Sequence, residues 1–322
     1  RLGVPQARPS DARNLETVQK ELRDFEIKGD FARIYTEAGA VGLNAVTRKD
    51  LGAFWVSVPS SKLELWFWLE SDRMRDPVLR GFYQELPIIE QERRQRIDAV
   101  PGGPELEQFN EAFWGGHPYA WPAIGRLADL DRLERSSSEA FFETSMVPNR
   151  VTAVLIGDLD LAKIRVWAET YFGDWSAQES EVGQLPISEG AREAEPARVP
   201  VALARSCACP VRVELRYPTV PFSHPDALKL DLLAAVLAGR SGRLNRELVL
   251  SSAAVGELER SGAAFSAGAT HTPLRRAGTF ALEVEGREGS DPASLERRLR
   301  GLIETLSKQG FTAREVERGR NQ

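Results

Sequence analysis

The sequence predicts an α+β chain of two related domains, and three observations predict it. The apolar patterns of the second half run strand, helix, helix, two strands, helix, which is not the strict βαβ alternation of a doubly wound sheet. The first half mixes strands and helices in the same loose way. Between them lies one polar, aperiodic stretch rich in Glu and Pro, about Ser176–Pro200. The expected boundaries are 1–180, a linker at 181–200, and 201–322, and 322 residues suit two domains.

Residues 1–12 read as irregular, followed by a charged helix from about Asp11 to Lys28 with a thin stripe of Leu15, Val18, Leu22 and Phe25. Phe31–Val46 reads as a loop entering a strand, and Phe54–Val58 as a second strand. Pro59-Ser60-Ser61 starts a helix reaching Met74, whose Trp66 and Trp68 suit packing. Pro77 opens a helical region to about Asp98; Pro101-Gly102-Gly103-Pro104 breaks it, and another helix runs to about Trp114. Ser136–Ser145 reads as a helix with a capping box of Ser136 and Glu139. Val151–Ile156 reads as a buried strand, Gly157-Asp158 as a turn and Leu161–Phe172 as an amphipathic helix. Beyond the linker come a strand at Val211–Tyr217 and a helix at Asp226–Leu237. The turn Gly239–Gly242 leads to a helical Leu244–Leu250. Strands at Ala264–Thr270 and Thr279–Glu285 follow, then helices at Pro292–Lys308 and from Ala313 onward.

Composition excludes several classes of function. A net charge of −5 built from mixed signs leaves no basic face for nucleic acid. The short run Glu92-Arg93-Arg94-Gln95-Arg96 reads as a solvated helix face. No stretch approaches the ~18 apolar residues that would cross a bilayer. Cys207 and Cys209 would lie on one face of a strand about 7 Å apart, too far for a disulfide, so they neither bridge to each other nor make a zinc site alone. The chain opens on Arg1 with no signal-peptide pattern, and Glu315–Gln322 reads as a helix without a stop signal, so both ends are expected to be cuts.

The richest constellation of chemistry is Glu85-Leu86-Pro87-Ile88-Ile89-Glu90-Gln91-Glu92-Arg93-Arg94. Glu85 and Glu92 are seven residues apart, which on a helix places them about 20° apart on one face. Such a pair could offer a metal one oxygen ligand and a second carboxylate to orient it; a solvated face holds the same pair as readily. Pro87 disfavours helix at Leu86, so a helix starting there would leave Glu85 outside it. The three histidines, His117, His224 and His271, form no ligand pattern, and His117 in its Pro-flanked loop reads as structural. Gly239-Arg240-Ser241-Gly242 before a helix could hold an anion, but no Walker lysine accompanies it and a simple turn explains it.

Taken in order, several segments resemble one family. Glu37–Thr47, with Asn44 and Ala45, looks like a substrate-edge strand, and Leu63–Met74 like a leucine-rich helix ending in E-x-D-R-M. Phe82–Arg94 is similar to a segment with two glutamates seven apart. His117-Pro118-Tyr119 with Pro122 and Gly125 matches H-P-Y-x-x-P-x-x-G. Phe141-Phe142 with Pro148-Asn149, then Gly157-Asp158, and finally Gly239–Leu244 complete the set. The chain from about residue 30 resembles the bacterial branch of the insulinase/pitrilysin (inverzincin) zinc peptidases.

That resemblance implies two related domains of antiparallel or mixed sheet with helices packed on one face, an insulinase-like half. It implies zinc as cofactor, held by two histidines of an H-x-x-E-H motif and a later glutamate, with metal-activated water as nucleophile. Carried over, Glu92 matches the zinc-ligating glutamate, Glu85 the carboxylate behind it, and Asn44 and Ala45 the strand that pairs with substrate backbone. No H-x-x-E-H occurs here, so that motif is expected upstream and the segment is expected to be inactive alone. Implied partners are an unfolded peptide or polypeptide substrate and a second homologous half or subunit, and the implied setting is the periplasm or cell envelope. The alternative is a companion subunit of the same family that binds peptide or a partner half without metal chemistry.

Overall fold

The computed structural model describes residues 29–79, 81–176, 210–250 and 264–321. The expected helix at 11–28, the linker at 181–200 and both cysteines lie outside those residues. The described residues gather into two compact units, one within Arg1–Thr47, Gly52–Tyr83 and Leu133–Gly183, the other within Arg48–Leu51, Gln84–Arg132 and Gln184–Gln322.

In chain order the elements are α1 (Asp30–Glu37), β1 (Val41–Thr47), β2 (Gly52–Ser57), α2 (Leu63–Arg75), α3 (Phe82–Arg93), α4 (Gly103–Trp114), α5 (Leu127–Leu130), α6 (Arg135–Ser145) and α7 (Leu161–Phe172). Then come β3 (Arg212–Thr219), α8 (Ala227–Leu237), β4 (Ala264–Pro273), β5 (Gly278–Gly286), α9 (Pro292–Gln309) and α10 (Ala313–Arg320). Helices with small antiparallel sheets make this an α+β fold, as the order of patterns predicts.

Three local expectations change. Residues after Asp30 form α1 instead of a loop: Phe31, Ile34 and Tyr35 make an i, i+3, i+4 stripe, and Arg33 pairs with both Asp30 and Glu37 along the helix. The capping box at Ser136 is absent, because α6 starts one residue earlier and Glu139 is drawn 2.7 Å from Arg135. Val151–Ile156 is not a strand; no other strand among the described residues hydrogen-bonds to it, and Ile156 is 92% exposed.

In the first unit, β1 and β2 pair antiparallel, with Asn44 opposite Trp55 and Ala45 opposite Phe54. The register shifts between Val41 and Asn44, where Gly42 takes φ 69, a left-handed conformation that a side chain would strain. Tyr35, Ala40 and Leu69 are buried together against Phe31, Ile34, Val56, Val58, Leu65 and Trp66. The Tyr35 hydroxyl donates to Glu70 at 2.9 Å, and Arg73 holds the same carboxylate. Burial, and secondarily the Glu70 charge, push the Tyr35 phenol upward. Trp66 packs on Phe67 and Phe172, in keeping with a packing role.

The second unit is built on the sheet β3-β5-β4 with β5 central and antiparallel to both neighbours. Residues of β5 alternate strictly, and Phe280, Leu282 and Val284 enter the core. Helices α8 and α9 cover that face. Asp291 caps α9 by accepting from Ala293 and Ser294 N–H, and the helix buries Leu295, Leu299 and Leu306. Leu299 is 0% exposed. Leu299→Ala is therefore expected to cost about 2–5 kcal/mol, the range for deleting a buried leucine and leaving a cavity, measured as a shift in the urea midpoint. A loss under about 1 kcal/mol would mean that this position is not a core anchor.

Helix α10 begins with a capping box in which Thr312 and Glu315 satisfy each other's backbone N–H groups. Gly319 permits the close approach of α10 to α8, because a Cβ there would come within 2.6 Å of Val236 Cγ2. Glu315 is buried and takes the Arg243 guanidinium, which holds its carboxyl down at about 2. A carboxylate depressed on folding stabilises above its ordinary range, so this contribution, on the order of 3 kcal/mol, should fade as pH falls from about 5 towards 2. Urea midpoints of the parent chain and Glu315→Gln should differ at pH 7 and converge at low pH. A gap constant with pH would show that the pair is not the source.

Candidate functional site

The segment from Phe82 to Asp98 carries the predicted carboxylates. Helix α3 continues through Pro87, its sixth residue, without the hydrogen bond that the Tyr83 carbonyl would receive. Glu85 therefore stays inside the helix, and the shared face with Glu92 survives. At 1.5 Å per residue their Cα atoms are about 10 Å apart, so one ion cannot be ligated directly by both without long side-chain reach.

Glu85 is exposed. Glu92 has 38% of its side chain exposed and pairs with Arg96 at 2.8 Å, one turn on in the π-helical segment Arg94–Asp98. The next residue turns the other way. The Arg93 side chain is only 8% exposed and forks onto Glu107 at 2.9 and 2.7 Å, with a further bond to the Gly125 carbonyl at 2.7 Å. The reading of residues 92–96 as a solvated face thus holds for Arg94 and Arg96 and fails for Arg93, which anchors α3 to α4. A buried arginine inside an arginine run has no signature that distinguishes it from its exposed neighbours.

Asn44 and Ala45 are exposed on β1, in the first unit, whereas Glu85 and Glu92 belong to the second. The Asn44 Oδ1 accepts from the Ala45 N–H at 2.8 Å. An incoming strand that bonds to this N–H must first displace the Asn44 side chain. Val41 and Leu43 beside them are exposed apolar residues.

The H-P-Y motif is a structural joint. His117 Nδ1 accepts from Tyr119 N–H at 3.1 Å and so caps the turn Pro118–Ala120. The buried Tyr119 hydroxyl donates to Asp50 at 2.7 Å and accepts from Arg276 N–H at 3.1 Å, while Arg275 N–H reaches the other Asp50 oxygen at 2.8 Å. Burial, then the Asp50 bond, push the phenol up to about 12. Burial, then the nearby Arg276 charge, lower the His117 pKa, consistent with its neutral acceptor role. The buried His271 ring bridges Asp231 of α8 at 2.7 Å and Thr219 of β3 at 3.3 Å. His224 remains an exposed turn residue whose Nδ1 accepts from Asp226 N–H.

Zinc requires three protein ligands in a catalytic site. Among the described residues no three His, Cys, Asp or Glu side chains converge in a way that could hold a metal. With Glu92 already facing Arg96, the described residues do not by themselves make a zinc site. None of the described helices is long and apolar enough to cross a membrane.

Residues 132–322 match the sequence model of a family described as peptidase M16 inactive domain. Over 298 residues the chain is 24% identical to the zinc protease PqqE of Helicobacter pylori, covering 90% of this chain and 63% of that relative's length. The fold is similar to the crystal structure of a protease from Helicobacter pylori, with TM-score 0.70 and 22% identity over 90% of this chain and 68% of that one. It is also similar to the periplasmic protease PqqL of Escherichia coli, with TM-score 0.57 and 15% identity over 86% of this chain and 30% of that one.

Proposed function

Because this chain belongs to the peptidase M16 family, we propose that it is part of a zinc-dependent endopeptidase acting on unfolded peptides. In this reading it presents β1 to the substrate backbone and contributes Glu92 to a zinc site whose other ligands come from residues outside this sequence. The observation that carries the proposal is the unbroken helix α3. It keeps Glu92 at the surface, on one face with Glu85, while the adjacent Arg93 fastens the helix from its buried side.

Strand addition to β1 supplies affinity through main-chain bonds, and the exposed Val41 and Leu43 favour apolar side chains alongside. Glu85 acts behind Glu92 as a charge that orients it. We read 1–180 as the first peptidase-type domain and 201–322 as the second, joined through 181–200, with a homologous half or subunit completing the assembly. A periplasmic or cell-envelope setting is supported by the likeness to the Escherichia coli periplasmic protease.

The test is zinc content and hydrolysis of a quenched fluorescent peptide, measured on this chain alone and on its assembly with the complementary polypeptide. The chain alone should hold less than one zinc and cleave nothing; the assembly should hold zinc and cleave. An assembly that binds peptide but holds no zinc would replace this reading with the non-catalytic companion subunit.

A further inference from the structure

We propose that Val151–Ile156 is a docking edge of the first unit and accepts a β-strand from the complementary polypeptide, which rests on the reading that such a polypeptide completes the assembly and not on zinc.

Sequence and structure disagree over this run, and the disagreement points to a partner. By composition Val-Thr-Ala-Val-Leu-Ile is a strand, since Val151, Thr152, Val154 and Ile156 are all β-branched. Its backbone is already extended where it begins, with Val151 at φ −105 and ψ 136. Both ends are fixed. Val147 is buried just before it, and Asp160 caps α7 just after it by accepting from Ala162 and Lys163 N–H. Yet no N–H or C=O group of the run has a hydrogen-bond partner in the chain. Backbone groups of so apolar a segment are ordinarily paired in a sheet, and here both edges of the run stand open.

Alternation sorts the side chains. Val151 and Leu155 are half-buried on one face, whereas Thr152, Val154 and Ile156 are exposed on the other, Val154 by 71%. Edges that must not pair are commonly blunted by a charge, a proline or a bulge. Val151–Ile156 contains no charge and no proline. An unblunted apolar edge takes up another strand: main-chain bonds supply the affinity, and an apolar, β-branched face on the incoming strand covers Val154 and Ile156. More than a third of the Helicobacter pylori relative's length lies outside its match to this chain, which is ample to supply such a strand.

The experiment is hydrogen–deuterium exchange on the full 322-residue chain, alone and in its assembly with the complementary polypeptide. In the chain alone the amides of the run should exchange at nearly the unprotected rate. In the assembly alternate amides should slow by about 100-fold or more. Ala153→Pro and Val154→Pro each remove one N–H, and these two N–H groups point to opposite edges. Neither variant should shift the urea midpoint of the chain alone, because neither N–H is bonded there. At least one should weaken the assembly by about tenfold or more, and which one does so identifies the edge. Protection of the run in the chain alone would overturn the proposal, and protection that rises with chain concentration would assign the edge to a second copy. Failure of the polypeptide to associate, an assembly that leaves the run unprotected, or parent affinity in both proline variants would overturn it too. Zinc is measured separately: a protected run in an assembly without zinc would keep the docking edge and sink the peptidase reading.

Discussion

Glu92→Gln is expected to lower zinc retention and peptide hydrolysis at least 10–100-fold in the assembly that cleaves peptide, because even residues that merely orient a metal ligand cost about that much when replaced. Glutamine keeps the shape and one carbonyl oxygen but removes the negative charge that zinc prefers in an oxygen ligand. The same change releases Arg96, whose ion pair with Glu92 is half-exposed and worth little to stability. The folded chain should therefore unfold at nearly the same urea concentration as the parent. Glu85→Gln should show a smaller loss, since it lies about two turns away on the helix. Full activity and full zinc in Glu92→Gln would remove the ligand assignment altogether.

Glu107→Ala is expected to destabilise the second unit by about 3–5 kcal/mol, the cost of breaking a buried ion pair and leaving its partner charged and uncompensated. Arg93 would keep the Gly125 carbonyl at 2.7 Å, and Asp98 stands at 3.6 Å, too long for a good hydrogen bond. Its Nε already lacks a partner, so no slack remains to absorb the loss. The hydrogen bonds from Arg93 to Glu107 raise the guanidinium pKa above its already high ordinary value, against the opposing effect of burial. Glu107→Gln, which keeps an acceptor, should lose less. A urea midpoint shifted by under about 1 kcal/mol in Glu107→Ala would mean that the pair does not fasten α3.

Much of the fold was legible where neighbours in sequence decide it. Helix α9 announces itself through Asp291-Pro292 and a leucine stripe, and β5 through strict alternation. The candidate carboxylates were legible for the same reason: a seven-residue spacing has one meaning once the segment is helical. Pro87 was misleading, because the helix continues through it although it removes a hydrogen bond and crowds the Tyr83 carbonyl. Val151–Ile156 looks apolar enough for a strand, yet a strand exists only when another strand completes its hydrogen bonds.

By itself the amino-acid order determined the α+β class, the extents of most elements and the mixed surface charge. All of these follow from contacts within a few residues, or from counting charges. Only the tertiary structure decided that helix α3 continues through Pro87, that Arg93 is buried while Arg94 and Arg96 are not, that His271 bridges Asp231 and Thr219, and that Arg243 pairs with the buried Glu315. Burial depends on what arrives from far along the chain, and for a charged side chain that arrival determines whether it is solvated or paired.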